Sequence, residues 1–138
     1  MAVIKPQTYM NRSGEAVQAL LGEGFAAGEL LVVCDDVYLP FGTLRLRARG
    51  GTGGHQGLES IVQLTGSSDF PRLRIGVGPA PPSADLPAYV LAAFGPEEEA
   101  RLGEVIDAAA GAAYDAAAEG LTQAMNRWNR FGVEPEEE

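Results

Sequence analysis

The chain has 138 residues, a hydrophobic fraction of 46% and a formal net charge of −9. This length is sufficient for one globular domain with a hydrophobic core. No apolar run approaches the roughly 20 residues that a membrane-spanning helix requires, and the first residues lack a signal-peptide pattern. A single cysteine, Cys34, excludes an internal disulfide, which is typical of proteins from a reducing cytoplasm. We therefore expect a cytoplasmic protein with no membrane partner.

The charge is distributed unevenly. Residues 41–78 contain five arginines and two acids, a local net charge of +3, whereas residues 97–138 contain eleven acids and three arginines, a local net charge of −8. An acidic protein is in general a poor nucleic-acid binder, but a basic island within it can still face phosphates. We predict that the acids lie on C-terminal helices and on a disordered acidic tail, residues 132–138.

The first half of the chain predicts strands that alternate with helices. Residues 2–4 are apolar and are followed by Pro6, which indicates the end of a strand. Ser13 is a typical cap for the amphipathic helix that follows it. The apolar run 30–34 predicts a buried strand with two aspartates at its carboxyl end. Alternating apolar and basic residues over 43–49 predict a strand with one positive face.

The second half continues this alternation. Residues 57–66 have the apolar spacing of a short helix, residues 71–78 predict a strand, and the proline-rich segment 79–89 predicts an irregular loop. Pro96 and the acids after it open a long helix that ends before Gly120, and a last helical segment follows. The order of these elements predicts an α/β fold in a single domain.

The segment 49–58, RGGTGGHQGL, places the only histidine, His55, among five glycines. Such glycine density indicates positive φ angles or a close approach to a ligand, and an imidazole there can meet that ligand at neutral pH. A phosphate-binding P-loop is excluded, because no Lys-Ser or Lys-Thr follows the glycines. The alternative is a structural histidine bonded to the backbone of a tight loop, and the residues alone leave both interpretations open.

Two further positions are candidates for chemistry. Asn11 lies between a predicted strand and a predicted helix, where α/β proteins often place a ligand-facing side chain, but a capping or turn asparagine is equally compatible. Asp35 and Asp36 follow a buried strand, where a carboxylate orients a histidine or holds a metal, and the alternative is a pair of solvated loop acids. One histidine and one cysteine supply few metal ligands, so we expect no metal site and no cofactor.

Three segments occur together in a characteristic order and spacing: KPQTYMNRSGEAV at 5–17, LLVVCDDVYLPFGTLRLRARGGTGGHQGL at 30–58 and FPRLRIGVGP at 70–79. With the final LTQAMNRWNRF, they make the chain resemble bacterial-type peptidyl-tRNA hydrolases over nearly all of 1–131. The resemblance implies a single α/β domain with a mixed central β-sheet flanked by helices. It also implies a monomer that hydrolyses the ester joining a peptide to the 3′ end of tRNA.

The resemblance assigns catalytic and substrate-channel roles to four residues. Asn11 would hold the substrate or the attacking water. Tyr9 and Met10 would line the channel for the terminal adenosine and the peptide. Asp35 matches the aspartate that hydrogen-bonds the catalytic histidine and keeps it oriented and basic.

The resemblance places four further residues at the tRNA. His55 matches a histidine of the binding cleft that is not the general base. Gln56 stands where the family usually has an asparagine that contacts the tRNA end, so the additional methylene changes the position of that contact. Arg47 and Arg74 match basic positions that face the tRNA backbone, where a guanidinium suits phosphate. The loop 79–89 carries no basic residue, unlike the corresponding lid of the family.

The main departure from the family is at the start of the chain. Family members begin with a strand, a glycine-containing loop and a histidine followed by asparagine, and that histidine is the general base. Here KPQTYMN begins at residue 5, so we expect the first strand and helix region to be missing and the domain 1–131 to be partial. We then expect little or no hydrolase activity from the chain as given. The alternatives are a non-catalytic RNA-binding relative and the product of a decayed gene.

Overall fold

The computed structural model describes residues 3–85, 88–89 and 94–131. It confirms the α/β class. The described residues fall into two compact units, the first within Met1–Val32 and Arg47–Arg72 and the second within Val33–Leu46 and Leu73–Glu138. The predicted acidic tail 132–138 lies outside the described residues. The elements in chain order are a 3-10 turn Met10–Arg12, α1 Ser13–Gly22, a 3-10 turn Ala27–Glu29, β1 Val32–Pro40, β2 Leu44–Arg47, α2 Gln56–Thr65, β3 Arg72–Gly78, α3 Pro96–Glu119 and α4 Leu121–Trp128.

The three strands form one sheet in the order β1-β3-β2. Val32 N donates to Pro71 O (3.0 Å) where β1 and β3 begin, and Phe41 N donates to Gly78 O (2.7 Å) where they end, so these strands are parallel. A tight turn after Pro40 reverses the chain, and β2 therefore runs antiparallel to β3. The sheet is mixed, as the resemblance implies.

Four local predictions are wrong. The strand predicted from the apolar run 30–34 is not buried, since no residue of β1 is buried and Val33 is 51% exposed. Ser13 does not cap α1, because its hydroxyl donates to Met10 O (2.7 Å) within the 3-10 turn that leads directly into the helix. Val3 and Ile4 lie outside any strand and are exposed. The two aspartates lie inside β1 and not at its carboxyl end, since the strand continues to Pro40. Arg74 on the neighbouring strand β3 forms an ion pair with Asp36. This pairing allows an acidic residue to lie in the middle of a strand.

In the first unit, α1 and α2 pack together at a glycine. Gly14 is buried, and its N–H donates to Ser60 Oγ at 2.9 Å. A Cβ atom at Gly14 would overlap the carbonyl oxygen of Ser60. Leu58 and Ile61, on the buried face of α2, are 0% and 3% exposed. This close approach positions the turn that precedes α1 against α2.

A buried arginine holds the glycine loop, residues 49–55 between β2 and α2, in the same unit. Arg72 is 1% exposed, and its Nη1 donates to the carbonyl oxygens of Gly50 (3.0 Å) and Gly51 (3.1 Å). Its Nη2 donates to Ser68 O and Phe70 O, and its Cζ lies 4.2 Å from the centroid of the Phe70 ring. Five donors in a fixed plane suit several carbonyls at once. The guanidinium thus ties the glycine loop to the segment that enters β3.

Beyond this anchor, the glycine loop turns at two glycines. His55 N donates to Thr52 O at 3.0 Å across Gly53 (φ 59°) and Gly54 (φ 81°). Positive φ at both central positions is the pattern of a type I′ turn, which residues with a Cβ rarely adopt. The glycines are therefore required by the turn that leads into α2.

In the second unit, the structure confirms the long helix predicted from Pro96 to Gly120, and Gly120 (φ 95°) separates it from α4. Asp115 Oδ2 accepts hydrogen bonds from Trp128 Nε1 (2.8 Å) and from Arg127 Nη1 (2.7 Å). The indole N–H first, and the guanidinium second, hold the pKa of Asp115 below its ordinary value. A carboxylate on α3 therefore joins the two helices.

The chain after α4 covers the edge strand β2. The carboxamide of Asn129 accepts from Leu46 N (2.6 Å) through Oδ1 and donates to Leu46 O (3.0 Å) through Nδ2. Leu44 N also donates to Phe131 O at 3.4 Å. The side-chain amide thereby makes the hydrogen bonds that the backbone of a further strand would make, and it protects this edge from pairing with another strand.

We predict that Gly14→Ala lowers the free energy of unfolding by about 1–3 kcal/mol, because the new methyl group forces α1 away from the Ser60 carbonyl. Gly22→Ala, on the same helix with no neighbour within 4 Å of its added Cβ, is the matched control. It should raise stability by up to about 1 kcal/mol through lower backbone entropy in the unfolded chain. Urea denaturation measures both, and equal effects would contradict close packing at Gly14.

Asp115→Asn should destabilise the chain only where the carboxylate is ionised. A depressed folded-state pKa contributes stability that is present above the unfolded pKa, about 3.9, and is lost as the pH falls through the folded value. The difference in unfolding free energy between the two proteins should thus be constant near neutral pH and shrink below about pH 4. Asp107→Asn, an exposed position on the same helix, should show no such trend in denaturation curves recorded from pH 2 to 7.

Arg72→Met should lower the unfolding free energy by about 3 kcal/mol, because it removes a buried charged donor from the backbone carbonyls of Gly50, Gly51, Ser68 and Phe70. Arg72→Lys should recover part of this loss, since an ammonium keeps the charge but not the planar fork. Arg45→Met, at an exposed position of β2, should stay within about 0.5 kcal/mol. Chemical denaturation that fails to separate Arg72→Met from Arg45→Met would exclude the anchoring role of Arg72.

Candidate functional site

His55 caps the N-terminus of α2. Its backbone is extended (φ −68°, ψ 118°), and its Nδ1 accepts a hydrogen bond from Leu58 N at 3.2 Å. An imidazole nitrogen that accepts a hydrogen bond carries no proton, so the neutral ring holds its proton on Nε2. Nε2 is then a donor and not a base. The contact with the backbone corresponds to the structural alternative considered for His55 from the sequence.

Met10 and His55 meet at Gly57. A Cβ atom at this buried glycine would lie 2.7 Å from Met10 Sδ and 2.9 Å from His55 Cε1. The 3-10 turn Met10–Arg12 packs against α2, and the missing side chain of Gly57 leaves room for Met10. The structure therefore brings together two of the predicted substrate residues, which lie far apart in the sequence.

Beside this contact is an open cleft of about 250 Å³ in the first unit. Asn11 projects into it from the 3-10 turn, and Gln56 from the first turn of α2. Both were predicted as substrate-binding residues. The cleft also contains three residues that sequence reasoning missed, all on α2: Glu59, Ser60 and Gln63. Their spacing from Gln56, at i+3, i+4 and i+7, places them on one helix face and is the signal that identifies them.

Tyr9 lies at a different depression of the surface. Its side chain is 79% exposed and lines a shallow cleft of about 230 Å³ with Gln7, Thr8, Arg12 and Glu15. Arg12 and Glu15 form an exposed ion pair at 2.7 Å there. Tyr9 and Asn11, two residues apart, thus line separate clefts of the first unit.

Of the predicted basic residues, Arg47 belongs to the first unit, and its side chain is exposed at the end of β2. Arg74 belongs to the second unit, where its Nη1 lies 3.4 Å from Asp36 Oδ2. The two side chains of this cross-strand pair are 16% and 12% exposed. Asp36 also accepts a hydrogen bond from Tyr38 N at 2.8 Å through its other oxygen. Arg74 therefore contributes to the sheet through an ion pair with a neighbouring strand.

Asp35 is half-buried in the middle of β1, in the second unit. Within the described ranges, no three side chains of histidine, cysteine, aspartate or glutamate gather closely enough to hold a metal ion. In the same part of the chain, no helix combines the length and the apolar character that crossing a bilayer would require.

Comparison with known proteins identifies one family. The family model described as peptidyl-tRNA hydrolase matches residues 1–136. Among the similar proteins are the peptidyl-tRNA hydrolases of Chloroflexus aggregans, 53% identical over 94% of this chain and 70% of the relative, and of Desulforudis audaxviator, 52% identical over 95% and 66%. The chain thus spans about two thirds of the length of these relatives.

A solved structure agrees with this assignment. The crystal structure of peptidyl-tRNA hydrolase from Acinetobacter baumannii superposes with a TM-score of 0.81 and 32% identity, covering 92% of this chain and 65% of that one. The shared fold agrees with the match to the family model. The chain therefore belongs to the peptidyl-tRNA hydrolase family.

Proposed function

We propose that this chain provides the substrate-binding cleft and the histidine-orienting aspartate of an enzyme that hydrolyses the ester between a peptide and the 3′ end of tRNA. The observation that carries the proposal is the convergence of Asn11 and Gln56 on one cleft, in a chain about half identical to named peptidyl-tRNA hydrolases. The enzyme acts as a cytoplasmic monomer, without a cofactor, and returns tRNA from stalled translation to use.

Ester hydrolysis requires an activated water, a donor for the developing oxyanion and a positioned substrate. The carboxamide of Asn11 is exposed on the cleft and offers both a donor and an acceptor, so it suits an attacking water or the ester oxygen. Met10, at the same turn, is 57% exposed and supplies an apolar wall for the substrate. Tyr9 provides a ring for stacking or packing on the adjoining cleft.

The proton acceptor in this proposal is a histidine other than His55. With Nδ1 engaged by Leu58 N, the proton of the neutral ring occupies Nε2, where a general base needs a lone pair. We assign His55 to the cap of α2, directly before Gln56, which lines the cleft. Asp35 then accepts the Nδ1–H of the catalytic histidine and holds it in the basic tautomer.

Arg47 and Arg74 extend the proposed contact to the tRNA backbone. Arg47 is exposed at the end of β2, where its guanidinium can approach a phosphate. Arg74 shares its guanidinium with Asp36, so its contact with a phosphate requires a donor that points away from that carboxylate. A guanidinium carries five N–H donors and can contact more than one acceptor.

The general-base assignment predicts a difference between two forms of the protein. The 138-residue chain should cleave an N-acetylated aminoacyl-tRNA at least about 100-fold more slowly than the chain preceded by a family N-terminal segment with its histidine, because a histidine base contributes ~10²–10⁴-fold. The release of free tRNA measures both rates. Equal rates would locate the base within the 138 residues.

In the extended form, Asn11→Ala and Asp35→Asn should each reduce cleavage, whereas Glu104→Gln, an exposed position on α3, should not. If the extended form binds tRNA but never cleaves the ester, the chain is instead a non-catalytic RNA-binding relative.

A further inference from the structure

The cleft beside α2 has an unusual set of side chains for a surface that is proposed to meet RNA. Three of its residues carry carboxamides, Ser60 carries a hydroxyl, and Glu59 carries a carboxylate. None of the five side chains that line it in the described part of the chain is basic. A phosphate would meet a negative charge here without a compensating cation, so the cleft suits a neutral group with hydrogen-bond donors.

The carboxylate of Glu59 is held in place by the glycine loop. Its Oε1 accepts a hydrogen bond from Thr52 Oγ1 at 3.3 Å, and Thr52 Oγ1 itself accepts from Gly54 N at 3.3 Å. The backbone of Glu59 belongs to the first turn of α2, where its N–H donates to His55 O at 2.9 Å. The loop therefore orients one carboxylate oxygen and leaves acceptor capacity on the cleft side.

The carboxamides provide the complementary donors. Gln56 and Gln63 lie one turn before and one turn after Glu59 on the same helix face, and Asn11 faces them from the 3-10 turn. A carboxylate accepts from an exocyclic amino group, while a neighbouring carboxamide donates to a ring nitrogen or a carbonyl oxygen. A volume of about 250 Å³ is below the ~300–1,000 Å³ of pockets for drug-sized ligands, and suits one planar base.

We propose that Glu59 makes this cleft selective for a nucleobase that carries an exocyclic amino group. Adenine, cytosine and guanine each offer such a group to the carboxylate. Uracil offers carbonyl oxygens on both sides of a single ring N–H, and these oxygens are repelled by Glu59. The inference deepens the proposed function and rests on it, because it assigns the base-recognising group of the same cleft.

Cytosine and uracil have the same size and differ chiefly in the amino group, so they form the matched probes. Fluorescence anisotropy with end-labelled oligocytidylate and oligouridylate should show that the 138-residue chain binds the cytidine oligomer about fivefold more tightly, a modest ratio because Glu59 is exposed. Glu59→Gln should bring the ratio close to one, since a carboxamide can face either an amino group or a carbonyl. Glu59→Gln should also weaken the binding of an oligoadenylate, by about the same factor as it weakens the binding of oligocytidylate.

Glu104→Gln removes the same charge from an exposed position on α3 and is the control. It should change the affinity for both pyrimidine oligomers equally and preserve their ratio. Three results would each overturn the inference. The unsubstituted chain could bind both oligomers equally, or it could bind neither of them. Glu59→Gln could also leave the ratio of the two affinities unchanged while its melting temperature stays the same. Cleavage of peptidyl-tRNA by the extended form without pyrimidine selectivity would overturn this inference alone, whereas selectivity without cleavage would overturn only the hydrolase assignment.

Discussion

The buried guanidinium of Arg72 is the interaction on which the geometry of the first unit depends. A charge removed from water is costly unless its surroundings supply hydrogen bonds and dipoles that replace the solvent. Here the carbonyl oxygens of the glycine loop and of the segment before β3 perform that task, and the Phe70 ring covers one face of the cation. Because one guanidinium donates to carbonyls of both segments, the loop and the start of β3 are held together.

The contacts of Arg72 also influence the cleft, because the glycine loop that they hold leads directly into α2. With Gly50 and Gly51 held, the chain turns at Gly53 and Gly54 and delivers His55 to the cap of α2. The cap and the loop then determine where the first turn of α2 begins, and hence which face of the helix carries Gln56, Glu59 and Gln63. The loop thus determines the position of the helix face that lines the cleft. The polar groups of the cleft come from this face of α2 and from Asn11 on the 3-10 turn.

Much of the secondary structure followed from local chemistry. Pro96, the acids after it and Gly120 delimit α3 at both ends, because helix termini have strong local preferences. The resemblance to peptidyl-tRNA hydrolases also singles out Asn11 and Gln56, and the fold brings both to one cleft. Two of the errors concern hydrogen-bond or ion-pair partners. Ser13 donates to a carbonyl of the turn three residues before it, which competes locally with helix capping. Asp36 pairs with Arg74 on a neighbouring strand, a partner that is distant in the sequence.

The sequence by itself determined the α/β class, the bounds of the longest helix and the family to which the chain belongs, because these depend on periodicity, terminal signals and motif spacing. Only the tertiary structure decided the role of each polar group. Arg72 and Arg74 alternate along one strand and look equivalent in the sequence, yet Arg72 is buried against backbone carbonyls and Arg74 pairs with an aspartate. The physical reason is that burial and hydrogen-bond partners are set by residues that folding brings together, and no local pattern encodes them.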